Sequence, residues 1–197
     1  MNLRTLLAVL FLLGAGGAFY YNNRAYSGPE HPPVSLPPSQ EMLSVPKTFQ
    51  FNGYQLTEVA SYAVTARVLS HERYYFGRES DLSPVDLALG WGLMTNKTVL
   101  SQLSISQGGR FYSWYASEYP IPPEQIESSS ANTHIIPATA AVKKTIKSLH
   151  KGQFVSLSGY LVNANAPDGW SWNTSLSRDD TGPGACELFY VETARPL

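Results

Sequence analysis

Only one stretch of this chain holds a helical period for more than two turns; the rest of its apolar pattern runs in twos. From Ala140 to His150, Val142, Ile146 and Leu149 share one face and Lys143, Lys144 and Lys147 lie off it. Thr139 stands at the N-cap and Gly152 follows as a stop. Around that helix the alternation is that of half-buried strands. Phe49 and Phe51 lead into Asn52-Gly53, a dipeptide suited to the positive φ angles of a type I′ hairpin, and Tyr54 and Leu56 resume the pattern. Ser61 to Leu69 continues it, with Tyr62, Val64, Ala66 and Val68 on one side. Arg110 to Tyr115 is an aromatic run after the Gly108-Gly109 turn. Phe154 to Val162, Trp170 to Ser177 and Ala185 to Glu192 complete the strand-like runs, separated by turn chemistry at 166–169 and 179–184.

Short helices are expected from Ser83-Pro84 to about Leu89 and over Lys97 to Leu103, while Tyr119 to Ala138, rich in proline, is expected to be irregular. Strands, one clear helix and three more strands predict an α+β, mainly β domain. Two architectures fit: a small Greek-key barrel of the oligonucleotide/oligosaccharide-binding (OB) type, or a curved antiparallel sheet carrying helix 140–150.

Two segments precede that domain. Residues 5 to 23 carry no charge, and Thr5 to Tyr21 is almost continuously apolar, with Arg4 before it and Arg24 after. About 17 residues at ~1.5 Å each is the lower edge of a bilayer span, so an N-terminal apolar helix is expected. It reads as an uncleaved anchor with Tyr20 and Tyr21 at the interface, or as a signal peptide with Gly16, Gly17 and Ala18 near a cut site. In the first reading the chain is a single-pass bacterial inner-membrane protein with its domain on the periplasmic side; in the second it is secreted. Residues 25–48 contain Pro29, Pro32, Pro33, Pro37, Pro38 and Pro46 and read as a semi-rigid spacer. The expected organisation is therefore 1–24 anchor or signal, 25–48 linker and 49–197 β-rich domain.

Composition removes several function classes. With 14 basic and 15 acidic residues the formal net charge is −1, which gives no electrostatic reason to expect nucleic acid. The single cysteine, Cys186, excludes an intramolecular disulfide and a zinc ribbon. Position 75 is Tyr75, so His71-Glu72 lacks the second histidine of a zinc-protease motif, and no nucleophile elbow, P-loop or dinucleotide fingerprint is present.

The densest mixture of His, acid, Arg and aromatic side chains is Ser70 to Gly92, SHERYYFGRESDLSPVDLALGWG. Together with ANTHIIPA, KGQFVSLSGYLV and SLSRDDTGPGACE it resembles an uncharacterised family of exported or membrane-anchored bacterial envelope proteins. The resemblance covers roughly Val64 to Glu192. It implies an envelope location and one intact domain, and it carries no activity or catalytic residue.

Two function classes follow. In the first, the domain has no chemistry of its own: it is membrane-bound through its N-terminal segment and binds a protein or glycan partner in the envelope, without cofactor, metal or nucleic acid. Trp91, Trp170, Trp172 and Arg78 are the candidate ligand-binding residues, because aromatic faces stack on sugars or peptides and Trp170 and Trp172 share one strand face. In the second, it is an enzyme using Cys186 as thiolate with His134 or His71 as base, or a His/Asp metal cluster that includes His71 and Asp86. Each candidate has a plainer reading. Cys186 alternates with Leu188 and Tyr190 and suits a core position, His134 suits a main-chain hydrogen bond, and the charges of Ser70–Gly92 suit ion pairing at a strand-to-helix corner.

Overall fold

Apolar residues at every second position favour an extended backbone with one face buried, and the fold is built around one strand of 20 residues in which that alternation runs from Tyr54 to Val68 with one interruption. The computed structural model describes residues 5–6, 24–177, 180, 182 and 184–197. The apolar run expected to be an anchor or signal lies largely outside the described residues, and no helix among those described is long and apolar enough to cross a membrane.

Strand β1 (Ser39–Met42) is followed by β2 (Thr48–Phe51) and the long β3 (Tyr54–Arg73). Asn52 and Gly53 both have positive φ, as the β2–β3 hairpin turn requires. After α1 (Glu79–Leu82) come β4 (Val85–Gly90), a 3-10 turn over Gly92–Thr95 and α2 (Lys97–Leu100), whose N-cap Asn96 accepts from Thr98 N at 2.8 Å. The hairpin β5 (Ser104–Gly108) and β6 (Phe111–Tyr115) precedes α3 (Pro123–Ser128), β7 (Ser130–Pro137) and α4 (Ala140–Ser148). Thr139 caps α4 by accepting from Val142 N at 3.2 Å. The chain finishes with β8 (Phe154–Asn165), β9 (Ser171–Trp172) and β10 (Glu187–Pro196).

The domain is α+β and mainly β. Its main sheet is mixed rather than purely antiparallel, because β10 runs parallel to β7. The order is β1-β3-β4-β7-β10-β8-β9, and β3 also pairs with β8, so the path of pairings returns to β3. A bulge at Glu58/Ala60 turns β3 over: Tyr54 and Leu56 face one cluster, while Ala60, Tyr62, Val64, Ala66 and Val68 face another. The second of these is the main core. It takes Val85, Leu87 and Leu89 from β4, Phe189 and Val191 from β10, Val142 and Ile146 from α4, and Leu149 just after that helix. Gly159 makes the β8–β10 crossing possible, since a Cβ there would lie 2.0 Å from Tyr190 O.

Three local expectations change. Ser83 to Leu89 is not a helix: Val85–Gly90 is a strand buried at all six positions, with Val, Leu and Leu on the core face and Asp86, Ala88 and Gly90 on the other. Burial on both faces outweighs the helix-start signal of Ser83-Pro84, and Pro84, lacking an N–H, is tolerated just ahead of a strand. Tyr119 to Ala138 contains α3 and β7 rather than irregular chain, and of Trp170 to Ser177 only Ser171–Trp172 pairs. The Pro-rich stretch is partly tied to the domain. Tyr26 N donates to Lys151 O at 2.8 Å, Gly92 N to Val34 O at 2.8 Å, and β1 pairs with β3. Glu30 bridges Arg67 at 2.9 Å and Lys97 at 2.6 Å.

Candidate functional site

On the face of β4 and β7 opposite the main core, the register sets Asp86 across from both Glu72 and His134. Asp86 is fully buried. Its Oδ1 accepts from Arg110 Nη1 at 2.8 Å and from Ser83 Oγ at 3.3 Å, and His134 Nδ1 stands 3.0 Å from the same oxygen. That imidazole contact is at ion-pair distance but off the hydrogen-bonding direction, and Asp86 Oδ2 has no hydrogen-bond partner among the described residues.

Arg110 reaches Asp86 because of its place in the β5–β6 turn. Gly109 and Arg110 both have positive φ, which turns the guanidinium back over the sheet. There it stacks 3.7 Å from the Tyr74 ring centroid and 5.6 Å from that of Trp172, and Nη1 also donates to Ser83 O at 2.9 Å. Tyr74 OH accepts from Arg110 N at 2.9 Å; burial, reinforced by the Asp86 charge, pushes the phenol up to about 12. Trp172 packs on His134 with centroids 4.7 Å apart. The cluster thus pins a hairpin and a short strand onto the sheet.

Beside it lies a cleft of about 330 Å³ between the β5–β6 hairpin, β7 and the chain running into β10. Trp91 is 4% exposed, donates from Nε1 to Ser128 O at 3.2 Å, and forms part of the lining. Tyr112 and Trp114 contribute aromatic faces from β6. Asn132 from β7 is held rigidly, its Oδ1 accepting from Gln107 at 2.6 Å and its Nδ2 donating to Arg110 O at 2.9 Å. Tyr112 OH and Ser130 Oγ share a hydrogen bond at 2.9 Å, and burial raises that phenol to about 12. Aromatic faces thus stand beside amide, hydroxyl and carboxylate groups, the last from Glu127 and Asp180.

The sequence candidates separate in space. Cys186 lines the cleft, but its Sγ accepts from Asn132 Nδ2 at 3.4 Å and donates to Arg110 O at 3.8 Å, not to a histidine. Burial pushes this thiol up to about 11, so the thiolate is scarce at neutral pH. His134 faces Asp86. His71 pairs with Leu87 in register and so sits on the core side of the sheet, away from Asp86. Its Nε2 is 3.2 Å from Ile146 O, and Arg73 beside it donates to Lys147 O, so both side chains close the last turn of α4. Among the described residues no three His, Cys, Asp or Glu side chains gather to hold a metal ion.

Trp91 lines the cleft; Trp170, Trp172 and Arg78 do not. Arg78 is held by Asp168 through two 2.7 Å bonds and lies 4.8 Å from the Trp170 centroid and 5.7 Å from that of Tyr54, whose ring also packs edge-on against Trp170 at 5.4 Å. Arg110, Asn132 and Tyr74 were not legible as site residues. The one available signal was an arginine directly after Gly-Gly in a hairpin turn. Comparison with protein-family models, with curated proteins and with solved structures yields no match.

Proposed function

We propose that this chain is a membrane-tethered bacterial envelope protein whose domain is an OB-type module that binds a glycan in the cleft beside Trp91, Tyr112 and Trp114. The connectivity supports the OB reading. Five strands pair in the cycle β3-β4-β7-β10-β8-β3, the β7–β10 pair is parallel, and α4 links β7 to β8. OB modules take oligosaccharides and oligonucleotides on the face of their second and third strands, here β4 and β7, and in the flanking loops. The observation that carries the glycan reading is the 330 Å³ cleft at the start of β7, lined by Ser130 and Asn132 beside Trp91 and the β5–β6 hairpin. Its aromatic rings suit the C–H faces of sugars, and its Asn132, Ser130, Glu127 and Asp180 suit their hydroxyls. The balanced charge argues against a polyanionic oligonucleotide. The alternative thiol enzyme has no support from a thiol raised to about 11 without a histidine partner.

The test is titration of the full chain in detergent with chitotetraose, a β-1,4-linked N-acetylglucosamine oligomer, followed by tryptophan fluorescence and calorimetry. Saturable binding that Trp114→Ala weakens supports the reading. Absence of binding, or binding indifferent to Trp114→Ala and Tyr112→Ala, refutes it.

A further inference from the structure

A second surface, sharing no lining residue with the cleft, carries charge of one sign. Lys143, Lys144 and Lys147 project from α4 and line a shallow groove of about 470 Å³ with Arg73 and His150. Among the described residues no acidic side chain lines it, and α4 contains none. In a chain with 14 basic and 15 acidic residues such a one-signed patch is a local departure. Lys143 and Lys144 are exposed, and none of the three lysines forms an ion pair among the described residues. Nor does the end of α4 depend on them for neutralisation. His71 and Arg73 already occupy the carbonyls of Ile146 and Lys147.

The chain also enters the domain at this place. Tyr26 N is bonded to Lys151 O at 2.8 Å, a Cβ at Gly152 would lie 3.9 Å from Tyr26 Cβ, and the charge of Arg24 is felt at His150. The apolar sequence ends at Tyr21, so it is joined to Tyr26 by a segment that spans at most ~18 Å even when fully extended. The docked Tyr26 denies the Pro-rich stretch the freedom to act as a long spacer at this end.

We propose that this basic face, built from Lys143, Lys144, Lys147 and Arg73, docks on the anionic phospholipid headgroups around the anchor and so fixes the orientation of the domain on the membrane. The proposal rests on the apolar run being the tether; it is independent of what the cleft binds. Basic residues held near an anionic surface contribute about 1 kcal/mol each, roughly fivefold in the docking equilibrium per lysine.

The full chain is reconstituted into nanodiscs of phosphatidylcholine alone or of phosphatidylcholine with phosphatidylglycerol, and amide hydrogen exchange is followed by mass spectrometry. Exchange of residues 140–151 slows about fivefold or more in the phosphatidylglycerol discs. The gain disappears in K143E/K144E/K147E and at high salt, and persists in K97E, which alters a lysine paired with Glu30 away from this groove. Equal exchange in the two kinds of disc overturns the docking face while leaving the tether intact. A chain that fails to co-purify with phosphatidylcholine discs removes the tether, and the proposal with it.

Discussion

Acidification should destabilise this protein through His71, and the size of the effect follows from where β3 puts that ring. Burial, with the like charge of Arg73 adding to it, lowers its pKa from 6.5 to about 4. Its Nε2 faces Ile146 O, so the neutral ring donates there and Nδ1 stays unprotonated. Above pH 6.5 the imidazole is neutral whether the chain is folded or unfolded and adds no pH dependence. As pH falls from about 6.5 to about 4, the unfolded chain takes up a proton that the native state refuses, so stability drops. Below about 4 the native ring protonates as well and the loss stops growing. At about 1.4 kcal/mol per pH unit, the whole interval amounts to about 3 kcal/mol.

The measurement is urea unfolding of the full chain in detergent at pH steps from 7 to 4, beside His71→Gln, whose amide can still donate to Ile146 O. His150, also lowered by burial, adds a slope of the same sign. Glu58 and Glu72, raised by burial, oppose it, because their native carboxyls hold protons more tightly than the unfolded chain does. The difference between wild type and variant removes these shared contributions. It should reach about 3 kcal/mol near pH 4. Parallel pH profiles for the two proteins, or a His71 ring resonance that titrates near 6.5, would refute the account.

Three further outcomes are expected. Asp86→Asn leaves Arg110 with no carboxylate at a fully buried site, and should cost about 3–5 kcal/mol in chemical denaturation; a loss below 1 kcal/mol would mean that the cluster does not hold the hairpin. Gly159→Ala puts a Cβ 2.0 Å from Tyr190 O and should prevent folding or lower Tm by more than 10 °C, whereas Gly108→Ala meets nothing within 4 Å and should be close to neutral; similar melting points would count against the close crossing. Cys186, raised to about 11 by burial, should react with iodoacetamide at pH 8 at least tenfold more slowly in the native protein than in urea. Equal labelling rates would reopen thiol chemistry at the cleft.

The fold class was legible because local chemistry and tertiary demand agree over most of the chain. Asn52-Gly53 is a hairpin turn in isolation and in place, and α4 keeps its Thr139 cap and apolar stripe because helix 140–150 needed nothing from elsewhere to be recognised. The sequence signals a helix at Val85–Gly90 because a strand buried on both faces has no alternation to display, so the nearby Ser-Pro dominates. The charged side chains of Ser70–Gly92 could not be matched to partners from sequence, because those partners are remote in the chain. His71 meets Ile146, Arg78 meets Asp168, and Asp86 meets both Arg110 and His134.

What the sequence determined by itself was the inventory: a mainly β domain with one good helix, no disulfide, balanced charge, and an apolar run at the N-terminus. Tertiary structure alone decided which of those charges face each other. Strand register is set by non-local pairing, and a slip of one residue would have sent Asp86 into the apolar core and Leu87 to Arg110. The same register separates His71 from Asp86, and the Cys186 thiol bonds Asn132 rather than a histidine.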